Sequence, residues 1–232
     1  MLTLPIRDVI VATPRARIAR LDLNDGAFDY AAGQAVSIAS HGYEKRRPYS
    51  IAAAPEDARR EGCLELLIGV DADGVPGPHL LALDAGQLVD VEGPFGTFTF
   101  PTEPEVRRFV FIAGGVGIAP LRSMMRHALA LPHRNIGLFY SARTPDEFAY
   151  EKEFRGLAAA GDIELRQTVT RASDADWRGP RGRLNRDALE ELVHDPATRC
   201  FVCGPPALVD EMPKILADLG IPPTRIHVEQ WG

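Results

Sequence analysis

FVFIAGGVGIAPLRSMM, residues Phe109 to Met125, opens with an unbroken apolar run, passes through three glycines and continues into an amphipathic pattern. A short apolar run ending in glycine predicts a strand buried on both faces, and the periodic segment after it predicts a helix. Gly114, Gly115 and Gly117, with Val116 among them and Pro120 in the first helical turn, allow a sharp bend and a close backbone approach to a pyrophosphate at the helix start. The spacing is not the G-x-G-x-x-G of the dinucleotide fingerprint, and a plain strand-to-helix turn accounts for the glycines equally well.

Toward the carboxyl terminus the same unit recurs. NIGLFYSA precedes EKEFRGLAAA, IELRQTV precedes NRDALEELV, RCFVCG precedes PALVDEMPKILADLG, and RIHVEQW closes the series. Apolar strands alternating with amphipathic helices predict a doubly wound α/β domain with a parallel sheet. Toward the amino terminus the period changes. LPIRDVIVAT, ARIARLDL, QAVSIAS, RPYSIAA, CLELLIGV and LVDVEG are short runs broken by Gly, Pro and Asp, as in an antiparallel barrel or sandwich. One short helix, PHLLAL, is expected among them. The boundary falls near Pro101 to Pro104, giving a first domain over residues 1–103 and a second over 104–232.

The chain has 232 residues and 45% hydrophobic content, enough for two small cores. No apolar stretch approaches the roughly 20 residues of a membrane helix. The amino terminus lacks the order of a signal peptide, so a cytoplasmic location is expected. The first part carries 9 Lys and Arg against 15 Asp and Glu, the second 17 of each, a balance that argues against a nucleic-acid partner. Cys200 and Cys203 form a C-x-x-C, but strand residues three apart point to opposite faces and would not share a metal.

Arg47, Pro48, Tyr49 and Ser50 read as strand, with Arg47 and Tyr49 on one face and Ser50 on the other. A cation, a flat ring and a hydroxyl are what a flavin nucleotide needs. They also suit an ordinary strand with an exposed Arg and a half-buried Tyr.

Taken together, RPYS, GPFG at Gly93 to Gly96, GGVGIAP at Gly114 to Pro120 and CGPP at Cys203 to Pro206 resemble the ferredoxin-NADP reductase family of flavoproteins, in order and spacing and over essentially the whole chain. The resemblance implies a flavin-binding antiparallel β-barrel followed by an NAD(P)-binding domain. It further implies that Tyr49 stacks on the isoalloxazine, that Ser50 faces the reactive N5 and that Arg47 holds phosphate. Leu67, Ile68 and the turn Val75, Pro76, Gly77 would line the rest of the flavin site. Gly77 stands where the family usually has Ser or Thr, so a hydroxyl contact is lost; FAD is expected over FMN because the turn and PHLLAL are retained. Cys203 and Gly204 of the CGPP motif would lie beside the nicotinamide, Glu229 would hydrogen-bond toward Ser50, and Trp231 would cover the flavin, with Gly232 beyond it. Buried packing, a solvated carboxylate and an apolar cover are the plain alternatives for Cys203, Glu229 and Trp231.

Arg143, Thr170, Arg171 and Arg183 fall at or just beyond carboxyl ends of strands, where open parallel sheets bind ligands. At these places the family's NADPH-using members carry basic or hydroxyl residues, so NADPH is expected over NADH. The same residues also read as solvated loop positions. The expected activity is electron transfer from NADPH through FAD to a separate acceptor: a ferredoxin, a flavodoxin or the iron-sulfur component of an oxygenase. A free-flavin reductase and a subunit of a larger complex are the alternatives, and a monomer is expected. Arg15, Arg17, Arg20, Lys45, Arg46, Arg59 and Arg60 could form a basic patch for an acidic partner, against which stands a scattered solvated surface.

Overall fold

A computed structural model describes residues 1–24, 26–102, 104–133, 135–171, 177–193 and 195–231. Glu103 at the expected boundary and the terminal Gly232 lie outside them. The amino-terminal half holds β1 (Leu2–Thr13), β2 (Ala16–Asp22), β3 (Ala35–Ser40), β4 (Arg47–Ser50), α1 (Pro55–Glu61), β5 (Cys63–Gly69) and β6 (Leu88–Phe95). The carboxyl-terminal half holds β7 (Arg108–Gly114), α2 (Ile118–Leu129), β8 (Asn135–Ala142), α3 (Glu151–Ala160), β9 (Glu164–Val169), α4 (Arg186–Glu190), β10 (Arg199–Gly204), α5 (Pro206–Asp218) and β11 (Ile226–Gln230).

The first six strands form one antiparallel sheet in the order β4-β3-β6-β1-β2-β5. Its two edges meet through an Ile51–Leu66 bridge and an Ala52 N–H that donates to the Glu65 carbonyl at 2.8 Å, closing the barrel. Closure leaves no sheet edge in need of a partner at this seam. β5 shows how the strand period builds two interfaces at once. Leu64, Leu66 and Ile68 fill the barrel, whereas Leu67 packs into the core shared with the second half, and Glu65 on that face receives a cation from α2.

The second sheet is parallel, in the order β11-β10-β7-β8-β9. α2 and α3 cover one face and α4 and α5 the other, and the two cysteines divide accordingly: Cys200 belongs to the α4/α5 side and Cys203 to the α2/α3 side. The core beneath α2 runs on into the barrel through Ala52, Leu67, Phe98 and Phe100. Among the described residues no helix is long and apolar enough to cross a membrane.

One local expectation needs correction. PHLLAL is not a helix. Its backbone is committed to β3, with the Ser40 N–H donating to the His79 carbonyl at 2.9 Å and the Leu81 N–H donating to Ser40 Oγ at 2.9 Å, while Leu80 is buried in the barrel. The helix of this half is α1, which begins on Pro55, carries Glu56 and Asp57 in its first turn, and stops on Gly62 in the left-handed region at φ 65°.

Candidate nucleotide and flavin site

In the parallel sheet the chain order reverses between β7 and β10, and such a reversal opens a crevice at the carboxyl ends of the strands. A cleft of ≈ 730 Å³ lies there. It is lined by Gly114, Gly115 and Val116 after β7, Arg143 after β8, Thr170 and Arg171 after β9, Pro205 after β10 and Trp231 after β11. Arg183 also lines it, and Thr13, Arg15, Ala16, Leu67 and Val70 form the barrel side.

The glycines divide by role. Gly117 and Gly204 are packing positions: a Cβ on Gly117 would stand 2.5 Å from the Cys203 carbonyl oxygen, and one on Gly204 would stand 3.0 Å from the Gly114 nitrogen. Gly115 is different. It has φ +55° and open space where a side chain would be, so its backbone is the part of the loop free to meet a ligand. Tyr140, absent from the sequence expectations, fixes this bend by donating its hydroxyl to the Gly115 carbonyl at 3.1 Å, and burial raises its pKa so that the phenol keeps its proton. Pro120 is buried within the first turn of α2 and shapes the helix start.

The three arginines are gathered by backbone bonds. The Thr170 N–H donates to the Ala142 carbonyl at 3.0 Å and the Arg171 N–H to the Arg143 carbonyl at 2.7 Å, joining the loops after β8 and β9. The Gly182 N–H donates to the Val169 carbonyl at 2.9 Å and the Thr168 hydroxyl to the Gly182 carbonyl at 2.9 Å, which carries Arg183 to the same rim. Arg143, Arg171 and Arg183 are exposed and form no side-chain ion pair among the described residues. Arg15 reaches the cleft from the barrel and pairs with Glu147 across the two halves, its Nε donating at 3.0 Å. Arg15, Arg17, Arg20, Arg46, Arg59 and Arg60 are each engaged by a carboxylate or a carbonyl.

On the barrel, β4 places Ser50, buried, on the side of Ala52 and the shared core, and Tyr49 against the barrel core. The Tyr49 hydroxyl is 2.9 Å from His79 Nε2, with the rings stacked at 5.6 Å between centroids. Arg47 and Pro48 are exposed, and Arg47 Nη1 lies 3.9 Å from the point where Gly77 would carry a Cβ. Val75 and Pro76 complete that turn, tied by a Val70–Pro76 bridge. Ile68 is fully buried in the barrel core, so its side chain faces away from the cleft that Leu67 lines.

β10 and β11 pair in register, Cys203 beside Glu229. Burial and the neighbouring Glu229 charge push the Cys203 thiol far above its usual pKa, so it keeps its proton. Burial raises the Glu229 pKa, partly offset by the hydrogen bond from Trp231. Glu229 departs from expectation. Two residues apart in an extended chain, Glu229 and Trp231 share a face, and the Trp231 indole N–H donates to the Glu229 carboxylate, which makes no hydrogen bond to Ser50 among the described residues.

Residues 4–100 match the family model for an oxidoreductase FAD-binding domain and residues 111–214 that for an oxidoreductase NAD-binding domain. Ferredoxin-NADP reductase B of Sorangium cellulosum (strain So ce56) is 32% identical over 94% of this chain and 93% of its own length. This chain belongs to the ferredoxin-NADP reductase family of flavoproteins. Among solved structures, an Amycolatopsis cytochrome P450 reductase is 29% identical with TM-score 0.80, covering 99% of this chain and 69% of that one. The ferredoxin reductase in carbazole 1,9a-dioxygenase is 25% identical with TM-score 0.82, covering 100% and 69%. The protein is therefore a flavin oxidoreductase with FAD-binding and NAD(P)-binding domains. The open backbone at Gly115 and the polar niche above Gly77 fit a dinucleotide and a flavin phosphate respectively.

Proposed function

We propose that the protein carries electrons from NADPH through FAD to a separate acceptor, a ferredoxin, a flavodoxin or an oxygenase component. The observation that carries the NADPH reading is the convergence of Arg143, Arg171 and Arg183, without ion-pair partners among the described residues, on the cleft beside Gly115. Guanidinium groups suit the 2′-phosphate that separates NADPH from NADH. Thr170 adds a hydroxyl at the same rim. The acceptor reading draws on relatives: one is named a ferredoxin-NADP reductase, and two solved reductases are named for a carbazole dioxygenase and for cytochrome P450.

When bound, the flavin accepts a hydride as an electron pair and releases the electrons singly. The chain's contribution is placement and local polarity. Residues 1–103 would hold the flavin, with Arg47 for its phosphate, Tyr49 and Trp231 for its ring and Ser50 toward the shared core, and residues 104–232 would hold the nucleotide. Glu229 keeps a proton to higher pH than an exposed carboxyl and steadies the Trp231 indole through its carboxylate. Cys203, fully buried and protonated, sets the floor beneath the loop at Gly117. We further propose a monomer acting in the cytoplasm.

The test is to purify the protein, release and identify its flavin, and compare NADPH with NADH as donors to ferricyanide. Bound FAD and an NADPH preference are expected. Bound FMN or an NADH preference would overturn the corresponding assignment.

A further inference from the structure

His79 has no role in the sequence expectations, yet its setting is that of a ligand-binding group. It is 3% exposed. Its backbone carbonyl is fixed by the Ser40 N–H and its Nε2 by the Tyr49 hydroxyl at 2.9 Å, so the ring has one orientation. A neutral phenol can donate to Nε2 or accept from it, and burial keeps Tyr49 neutral by raising its pKa. Burial and Arg47 lower the His79 pKa, favouring the neutral imidazole. With the phenol donating, the ring proton sits on Nδ1.

That Nδ1 is buried and has no hydrogen-bond partner. A buried donor left unpaired in this way carries a desolvation penalty that an incoming acceptor removes. Its surroundings say what kind of acceptor. Nδ1 lies 3.1 Å from the point where Gly77 would carry a Cβ, and Arg47 Nη1 lies 3.9 Å from the same point. A donor and a guanidinium thus converge beside the Gly77 backbone, with the His79 ring close enough to crowd any side chain there.

We propose that His79 Nδ1–H donates a hydrogen bond to the phosphate of the bound flavin nucleotide, in place of the hydroxyl lost where Gly77 stands, in the tautomer in which Tyr49 donates to Nε2. The inference rests on the placement of the flavin along β4 given above. His79 is a specificity residue for the phosphorylated flavin rather than a part of the barrel's apolar packing. A side chain larger than glycine at position 77 would press on the ring, which makes Gly77 and His79 a matched pair.

The test is reconstitution of the deflavinated protein with FAD, FMN and riboflavin, followed by flavin fluorescence, for wild type, His79→Ala, His79→Asn and His79→Gln. Loss of one buried hydrogen bond to a charged group predicts a dissociation constant about ten-fold or more higher for FAD and FMN in His79→Ala, with riboflavin unchanged. Asn, whose amide nitrogen takes the place of Nδ1, restores phosphate binding. Gln, whose amide reaches toward the Nε2 position instead, does not. Arg47→Ala gives the same phosphate-dependent pattern. Weakening of all three flavins alike in His79→Ala, or unchanged FAD binding in both His79→Ala and His79→Gln, would overturn the assignment. A wild-type protein that takes up none of the three would overturn the flavin site on β4 itself, and this inference with it.

Discussion

Removing Arg122 tests how the two halves are held at a fixed angle. This α2 residue is 9% exposed, and its guanidinium donates to Glu65 Oε1, the Ala52 carbonyl and Glu153 Oε2, each at 2.8 Å, with its carbon 4.2 Å from the Tyr150 ring centroid. Glu65 and Ala52 belong to the barrel, Glu153 to α3, so one side chain joins both halves. Breaking a buried ion pair by deleting one partner costs about 3–5 kcal/mol. Here both carboxylates keep another cation, Glu65 the Arg20 Nε at 2.9 Å and Glu153 the Arg126 Nη1 at 2.8 Å, which places Arg122→Ala at the lower end. About 3 kcal/mol in a protein of this size lowers Tm by about 6–12 °C. Arg122→Lys keeps the charge but not the planar fork, so an intermediate loss is expected. Urea denaturation and a thermal scan measure the change. Flavin reduction by NADPH should slow as well, because a looser angle misplaces the two cofactors. A change below about 1 kcal/mol, the worth of an exposed pair, would refute the reasoning.

Arg171→Ala should raise the Michaelis constant for NADPH by roughly one to two decades and leave that for NADH nearly unchanged, in steady-state assays with both donors. Glu229→Ala and Ser50→Ala should each slow reduction of the bound flavin in stopped-flow traces without altering nucleotide affinity, and a loss confined to NADPH binding would assign them to the wrong end of the site. Hydrogen bonds from His41, Thr3 and the Gly42 N–H hold the Asp90 pKa at about 2, against 3.8 ordinarily. A depressed carboxyl contributes stability that is present above its ordinary pKa and lost as pH falls through the folded value. Asp90→Asn should therefore destabilise the protein at neutral pH and flatten the loss between pH 3.8 and about 2, read from urea midpoints across that range.

All six barrel strands and all five parallel strands stand where the sequence patterns place them, because burial enforces the period of each: β5 is apolar on both faces but for Glu65, which Arg122 of α2 pairs, since both faces are covered, and β7 is apolar from Phe109 to Ala113 since helices pack on either side. Short helical segments were harder to read. PHLLAL carries helix-forming residues, but its backbone partners are on β3, far away in sequence; PEDARRE has Pro at its start, acidic residues in its first turn and Gly62 at its end but no side-chain N-cap, and is only seven residues long between two strands. The site divides similarly. The placement of Gly115, Arg143, Arg171 and Trp231 around one cleft was legible because loop chemistry and strand ends are local features. Tyr140 and His79 were not, since each acts through a partner in another element, and neither a core tyrosine nor a histidine in an apolar run announces its partner. Glu229 was found, but its bond to Trp231 depended on two side chains of one edge strand meeting each other before either met β4.

The central claim is that the cleft between β7 and β10 delivers the electrons of NADPH to a flavin held by the barrel. Anaerobic stopped-flow mixing of the flavin-loaded protein with NADPH, followed at the flavin's visible absorbance, tests it most directly. Rapid bleaching of the full flavin complement, saturating with NADPH and reaching half-saturation at a much higher concentration of NADH, is the result expected. A flavin that stays oxidised with both nucleotides would contradict the account.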